Sequence, residues 1–180
     1  FRRVLFRSSD FIFKCDVKMG PQCNSGIFFR VGDLKSPVQT GFEIQVLQGK
    51  GTGYHDFGVI YDLVKPAKNN RKGAGQWDTI QIRCYGPYIN IHVNGEPVAA
   101  MNCDKWTEPG KRLDGSNHKF KAAVKDFARK GHISLQDHRH TISYKNTKIL
   151  NQTQTKSKRS LPNIPAPAHR TTHANIAPTT

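Results

Sequence analysis

Trp77–Val98 reads WDTIQIRCYGPYINIHVNGEPV, and its alternation decides the fold. Ile80, Ile82 and Cys84 fall on one phase, Thr79, Gln81 and Arg83 on the other, and Ile89, Ile91 and Val93 then repeat the apolar phase. A period of two is the signature of an extended strand with one buried face. Asn94-Gly95 between two such runs predicts a two-residue hairpin, because a type I′ turn needs positive φ at both central positions. Gly86-Pro87 marks the turn before it.

The same period recurs outward in both directions. Phe11, Phe13, Cys15 and Val17 alternate with polar or charged neighbours, as do Phe42, Ile44 and Val46; Ile27, Phe29 and Val31 share a phase, and Ile133, Leu135, Ile142 and Tyr144 mark two last strands. One segment breaks the pattern. In Lys119–Arg129 the residues Phe120, Ala123, Val124 and Phe127 fall at i, i+3, i+4 and i+7, which predicts an amphipathic helix with Ser116 or Asn117 as its cap. The fold expected is therefore all-β: a two-sheet antiparallel jelly-roll sandwich with one short amphipathic helix.

The domain is expected over residues 9–150 of the 180-residue chain. Residues 151–180, rich in Pro, Thr, Ala and Asn and without an aromatic residue, read as a disordered tail. Residues 1–8, FRRVLFRS, can be encoded by the end of a sequencing adapter, so they read as a library scar to be set aside. On that reading a strand or two belongs upstream. Of the formal net charge of +15, about +8 remains on the core once both ends are removed. Its Lys and Arg are scattered through turns and the expected helix rather than clustered with aromatics, which argues against nucleic acid as a partner. Cys15, Cys23, Cys84 and Cys103 form no CxxC pair and have no zinc-ligand spacing; core thiols are the simpler reading, with a disulfide open to an exported protein. No apolar run approaches the length of a membrane span.

Strand phase also groups polar side chains. Arg30 lies opposite in phase to Ile27, Phe29 and Val31, and Glu43 and Gln45 opposite to Phe42, Ile44 and Val46, so on neighbouring strands the three would line one polar face. Such a Glu and Arg are more often a cross-strand ion pair than a catalytic set. GHISLQDHRH, residues 131–140, adds Asp137, His138 and His140 at a strand end, where a solvated turn is the ordinary explanation. His138 and Asp137, with Glu43, are candidate ligands for a divalent metal ion, although no spacing in the chain demands one.

NSGIFFR, GFEIQVL, GVIYDLVKP, the Trp77–Val98 hairpins, DKWTEPGKRLDG, KFKAAVKDFARKGHISLQDH and ISYKNTKIL together resemble the 3-keto-disaccharide hydrolase family. The resemblance implies a domain similar to the concanavalin A-like lectin and glucanase jelly roll. It implies a carbohydrate substrate whose 3-hydroxyl a separate upstream sugar 3-dehydrogenase has oxidised, and cleavage of the keto-sugar's glycosidic bond by elimination and hydration. It also implies a bacterial protein exported to the periplasm or cell exterior. Carried over by motif, it points to Asn24 and Arg30 (NSG-x-x-x-R), Glu43 and Gln45 (the FEIQVL strand), Tyr61 and Asp62 (YD), and Gln136, Asp137 and His138 (QDH). His138 or Glu43 is the expected base, Arg30 the expected sugar or enolate contact, and Asp137 an orienting or metal-binding group. The family's usual Gly after DH is Arg139 in this chain, a residue that adopts positive φ only at a cost. The alternative from another class is a non-catalytic carbohydrate-binding module, which would show an aromatic platform; Tyr61 and Tyr88 are its candidates. A structural or adhesion domain would bring no polar groups together.

Overall fold

The computed structural model describes residues 3–152, so the expected tail lies outside the described residues beyond its first two positions. The strands are β1 (Arg3–Ser8), β2 (Phe11–Met19), β3 (Asn24–Val31), β4 (Phe42–Leu47), β5 (Trp77–Tyr85), β6 (Tyr88–Val93), β7 (Glu96–Asn102), β8 (Gly131–Leu135) and β9 (Ile142–Asn151), with one short helix, α1 (Pro37–Thr40). They form a four-stranded sheet in the order β1-β8-β3-β4 and a five-stranded sheet in the order β7-β6-β5-β2-β9. Every pairing in both sheets is antiparallel.

The two hairpins around β6 form as the turn chemistry requires. Asn94 and Gly95 take φ of 53° and 86°, and Val93 pairs with Glu96 across them. Tyr85 pairs with Tyr88 across Gly86-Pro87. The apolar phases then meet between the sheets: Phe11, Phe13, Cys15, Val17, Ile80, Ile82, Ile89 and Ile91 on one side face Ile27, Phe29, Phe42, Ile44, Val46 and Ile133 on the other. Each such side chain contributes roughly 1.5–3 kcal/mol when fully buried. All four cysteines are buried and free, and burial pushes the Cys15 and Cys84 thiols up to about 12, which makes them inert packing groups.

One expectation needs correction. The helix at Lys119–Arg129 does not form; the segment contains a single 3-10 turn, Val124–Asp126, flanked by extended backbone at Ala123 and Phe127. Its apolar spacing survives because Phe120, Val124 and Phe127 still dip into the core, while Gln39 Nε2 takes Lys119 O, a carbonyl that a helix would have used internally, and Asp62 and Gln39 accept the Lys119 and Lys121 N–H groups. Residues 3–8, read as a scar, pair with β8 as β1; β8 would otherwise present an open edge, which extended backbone of almost any sequence can cover, so the pairing leaves that reading as it stood. Asn151, at the expected boundary between domain and tail, ends β9 and pairs with Phe11. Among the described residues no helix is long and apolar enough to cross a membrane.

Candidate functional site

The outer face of the four-stranded sheet carries the polar phases of β3, β4 and β8. Register places Phe28 opposite Glu43, Gly26 opposite Gln45, and Phe28 also opposite Ser134. The free edge of β4 is covered by residues 58–62 through Gly58 N–H to Gln45 O (3.0 Å), Gln45 N–H to Val59 O (3.3 Å) and Tyr61 N–H to Glu43 O (2.8 Å). That pairing carries Tyr61 to the side of Glu43. Together with α1 and the irregular segment at Lys119, these elements leave an open cleft of about 200 Å³ lined by Asn24, Val38, Glu43, Gln45, Tyr61, Lys119, Gln136 and His138.

Six residues expected from the sequence therefore converge: Asn24, Glu43, Gln45, Tyr61, Gln136 and His138. Gln45 donates from Nε2 to Asn24 Oδ1 at 3.1 Å, which leaves the two amides as a preset polar pair. Glu43 is only 8% exposed. Burial pushes its carboxyl up to about 7, against the opposing pull of the Lys119 ammonium. Its side chain folds back over Gly26, where any Cβ would overlap Oε1. This close approach is why the NSG motif carries glycine at that position.

Arg30, Asp62 and Asp137 are elsewhere. Between Phe28 and Val31, β3 spends two residues where β8 spends one, a bulge in which Arg30 takes φ of 50°. The bulge removes Arg30 from the outer phase and leaves it 0% exposed. There Nε and Nη2 donate to Ser9 O (3.1 and 2.9 Å), Nη1 donates to Gly86 O (2.9 Å), and Nη2 pairs with Asp10 (3.4 Å). It is thus a structural staple between β3 and the turns at Ser9-Asp10 and Gly86, not a ligand contact. Asp62 is buried and pairs with Arg112; its Oδ2 accepts the Lys119 N–H at 2.7 Å, so it supports the cleft from behind. Asp137 is exposed and accepts Arg139 N–H at 3.1 Å.

Arg139 adopts φ of 62°, so the loop keeps the geometry that favours glycine and tolerates arginine in it. Arg139→Gly is expected to raise stability by about 0.5–1 kcal/mol, checked by chemical denaturation, since the left-handed cost for a residue with Cβ exceeds the extra entropy of glycine. His138 and His140 stack with centroids 5.7 Å apart on the exposed side of this loop. Among the described residues no three of His, Cys, Asp or Glu are grouped to hold a metal ion. The expected set of Glu43, Asp137 and His138 therefore does not fit a single cation, and no chemistry is assigned through one.

Lys119 and Val38 are the cleft residues that sequence reasoning missed. The apolar spacing expects Lys119 on the solvated face of a helix, and nothing local signals otherwise. Tyr61 and Tyr88 do not form one platform: Tyr61 lies along β4 under the Lys119 ammonium, 3.9 Å from its ring centroid, whereas Tyr88 sits on the five-stranded sheet.

An antiparallel two-sheet sandwich with an open polar cleft over one sheet is the jelly-roll architecture used by carbohydrate-active proteins. Within that class, the chain belongs to the 3-keto-alpha-glucoside-1,2-lyase-like domain family, whose model matches residues 6–150. A solved structure of a candidate glycosyl hydrolase from Parabacteroides distasonis ATCC 8503 matches with a TM-score of 0.77 at 28% identity, over 82% of this chain and 80% of its own. A second candidate glycosyl hydrolase from the same organism matches with a TM-score of 0.67 at 22% identity, over 83% and 76% respectively, and at that identity it bears on the fold alone. No curated protein matches the chain.

Proposed function

We propose that the protein cleaves the glycosidic bond of 3-keto-glycosides by elimination followed by hydration, with Glu43 as the base. The observation that carries this reading is the carboxyl count of the cleft. Glu43 is the only Asp or Glu among its lining residues, whereas ordinary glycosidases flank the scissile bond with two carboxyl groups. A single carboxyl whose pKa is near 7 suits a different task, removal of a carbon-bound proton at neutral pH.

A ketone at C3 acidifies the C2 hydrogen. Glu43 takes that proton, and the electron pair of the C2–H bond moves onto the C3 oxygen as an enolate. As the C3 carbonyl reforms, a C1–C2 double bond forms, the C1–O bond breaks, and the leaving oxygen collects a proton from His138 or Tyr61 at the cleft rim. Water then adds at C1 while a proton returns to C2, and the net change is hydrolysis. Asn24, Gln45 and Gln136 supply hydrogen bonds to sugar hydroxyls. The 3-ketone itself must come from an oxidoreductase acting earlier on the same sugar.

Release of nitrophenol from a 3-keto glucoside and from its unoxidised parent tests the reading. Turnover of the keto form alone is expected. A folded protein that binds either sugar and turns over neither is instead a carbohydrate-binding module. Gly26→Ala checks the geometry within the same assay: the added Cβ would lie within 3 Å of Glu43 Cδ and Cγ (2.8 and 2.9 Å) and must displace the carboxylate. A displacement on the order of 1 Å is expected to lower kcat/KM by about 10²-fold.

A further inference from the structure

The chemistry above requires a positive group at the C3 oxygen, and Arg30, the residue the sequence offers for it, is sealed between the sheets. We infer that Lys119 is the catalytic electrophile of the cleft, its ammonium hydrogen-bonding the C3 oxygen as enolate charge develops, and that Gln39 and Asp62 are the residues that position it. This rests on the proposed keto-sugar reading.

Four observations support the assignment. Lys119 lines the same cleft as Glu43. Its Nζ rests 3.9 Å from the Tyr61 ring centroid, which restrains where the ammonium can point. No hydrogen-bond acceptor among the described residues is placed on Nζ, so its donors are not committed to a partner within the fold. Its backbone is held by side chains from two other segments. Lys119 N–H donates to Asp62 Oδ2 at 2.7 Å, Gln39 Nε2 donates to Lys119 O at 3.1 Å, and Lys121 N–H donates to Gln39 Oε1 at 3.0 Å. The Gln39 amide thus imitates one rung of a strand pairing, and it fixes an otherwise irregular segment at the one residue that reaches the cleft.

Charge balance gives the arrangement its catalytic logic. Before reaction Lys119 offsets the Glu43 carboxylate. When Glu43 takes the C2 proton it becomes neutral, and the negative charge reappears on the C3 oxygen. The same ammonium then faces the enolate, so the cleft holds the same net charge before and after proton transfer. An interaction that strengthens as charge moves toward it accelerates the step. An unoxidised sugar forms no enolate and gains nothing from it.

The test compares wild type, Lys119→Met, Lys119→Arg and Gln39→Ala on the 3-keto nitrophenyl glucoside, with loss of the C2 hydrogen followed in D2O. Lys119→Met is expected to lower kcat and C2 exchange together by about 10²- to 10³-fold with little change in KM, and Lys119→Arg to restore part of both. Gln39→Ala, which touches no substrate, is expected to lower kcat with KM unchanged, and it keeps the test open if the methionine variant does not fold. Removing the cation also leaves the Glu43 carboxylate less stabilised. The acid limb of kcat/KM should therefore move to higher pH in Lys119→Met, with Tyr61, Asp62, His138 and Tyr144 near the pair, and His55 on the Tyr61 ring and Arg112 on Asp62 behind them. A rise in KM alone, or full activity in Lys119→Met or in Gln39→Ala, would overturn the assignment. An inert wild type would instead contradict the proposed function, so the two failures are distinct.

Discussion

Glu43→Gln is expected to lower kcat/KM on a 3-keto glucoside by about 10²- to 10⁴-fold, the range that a positioned base contributes. Wild-type activity should rise with pH through about 7, as the buried carboxyl ionises. The same residue ties activity to stability. Its folded pKa lies above the ordinary value of 4.5, so the folded state holds a proton that the unfolded chain releases between pH 4.5 and about 7. The stability associated with the protonated carboxyl is complete below pH 4.5 and is lost as pH rises through about 7. At most about 3 kcal/mol is at stake, from the size of the shift. The glutamine variant lacks that loss, so it should match wild type near pH 4.5 and exceed it at about pH 8, measured by chemical denaturation at both pH values. An inactive variant with unchanged alkaline stability would place Glu43 in a more solvated setting than the cleft provides.

Arg30→Leu separates the motif-based reading from the structural one. If Arg30 contacted sugar, its loss would raise KM and leave the fold intact. The guanidinium is instead 0% exposed, with donors taken by Ser9 O, Gly86 O and Asp10. Removing one partner of a buried pair typically costs about 3–5 kcal/mol, because the remaining charge stays buried. The expected result is a loss of that order in chemical denaturation. In whatever fraction remains folded, KM should be unchanged. Asp10 keeps the Gly86 N–H at 3.0 Å, which moderates the cost toward the lower end.

Sequence alternation is a sound guide where one rule governs the backbone. The strands of Trp77–Val98, with their Asn94-Gly95 turn, form in the expected phase, and the same phase brings Glu43 and Gln45 to one face of the other sheet, where Asn24 and Gln136, singled out by the family motifs, join them. It fails where the outcome depends on a partner far along the chain. The outward phase of Arg30 is correct for a regular strand, and only the pairing of β3 with the much later β8 creates the bulge that turns it inward. Lys119 is illegible for the same reason. Its segment mimics a helical period because three side chains reach the core, yet Gln39 and Asp62 hold its backbone in an irregular, non-helical path. The reason for Gly26, room for the Glu43 carboxylate, is not legible in the sequence, because it needs the register of β3 against β4.

The measurement closest to the central claim is turnover of a 3-keto glucoside in D2O, with mass and NMR analysis of C2 in the sugar product and a control for exchange in product incubated without enzyme. Elimination by Glu43 followed by hydration predicts solvent deuterium at C2, as the Glu43 proton exchanges with solvent before C2 is reprotonated, together with a primary isotope effect on a C2-deuterated substrate. Product that keeps its C2 hydrogen, with no C2 isotope effect, while the glycosidic bond is broken would mean direct displacement at C1, and would contradict proton abstraction by the lone carboxyl of the cleft.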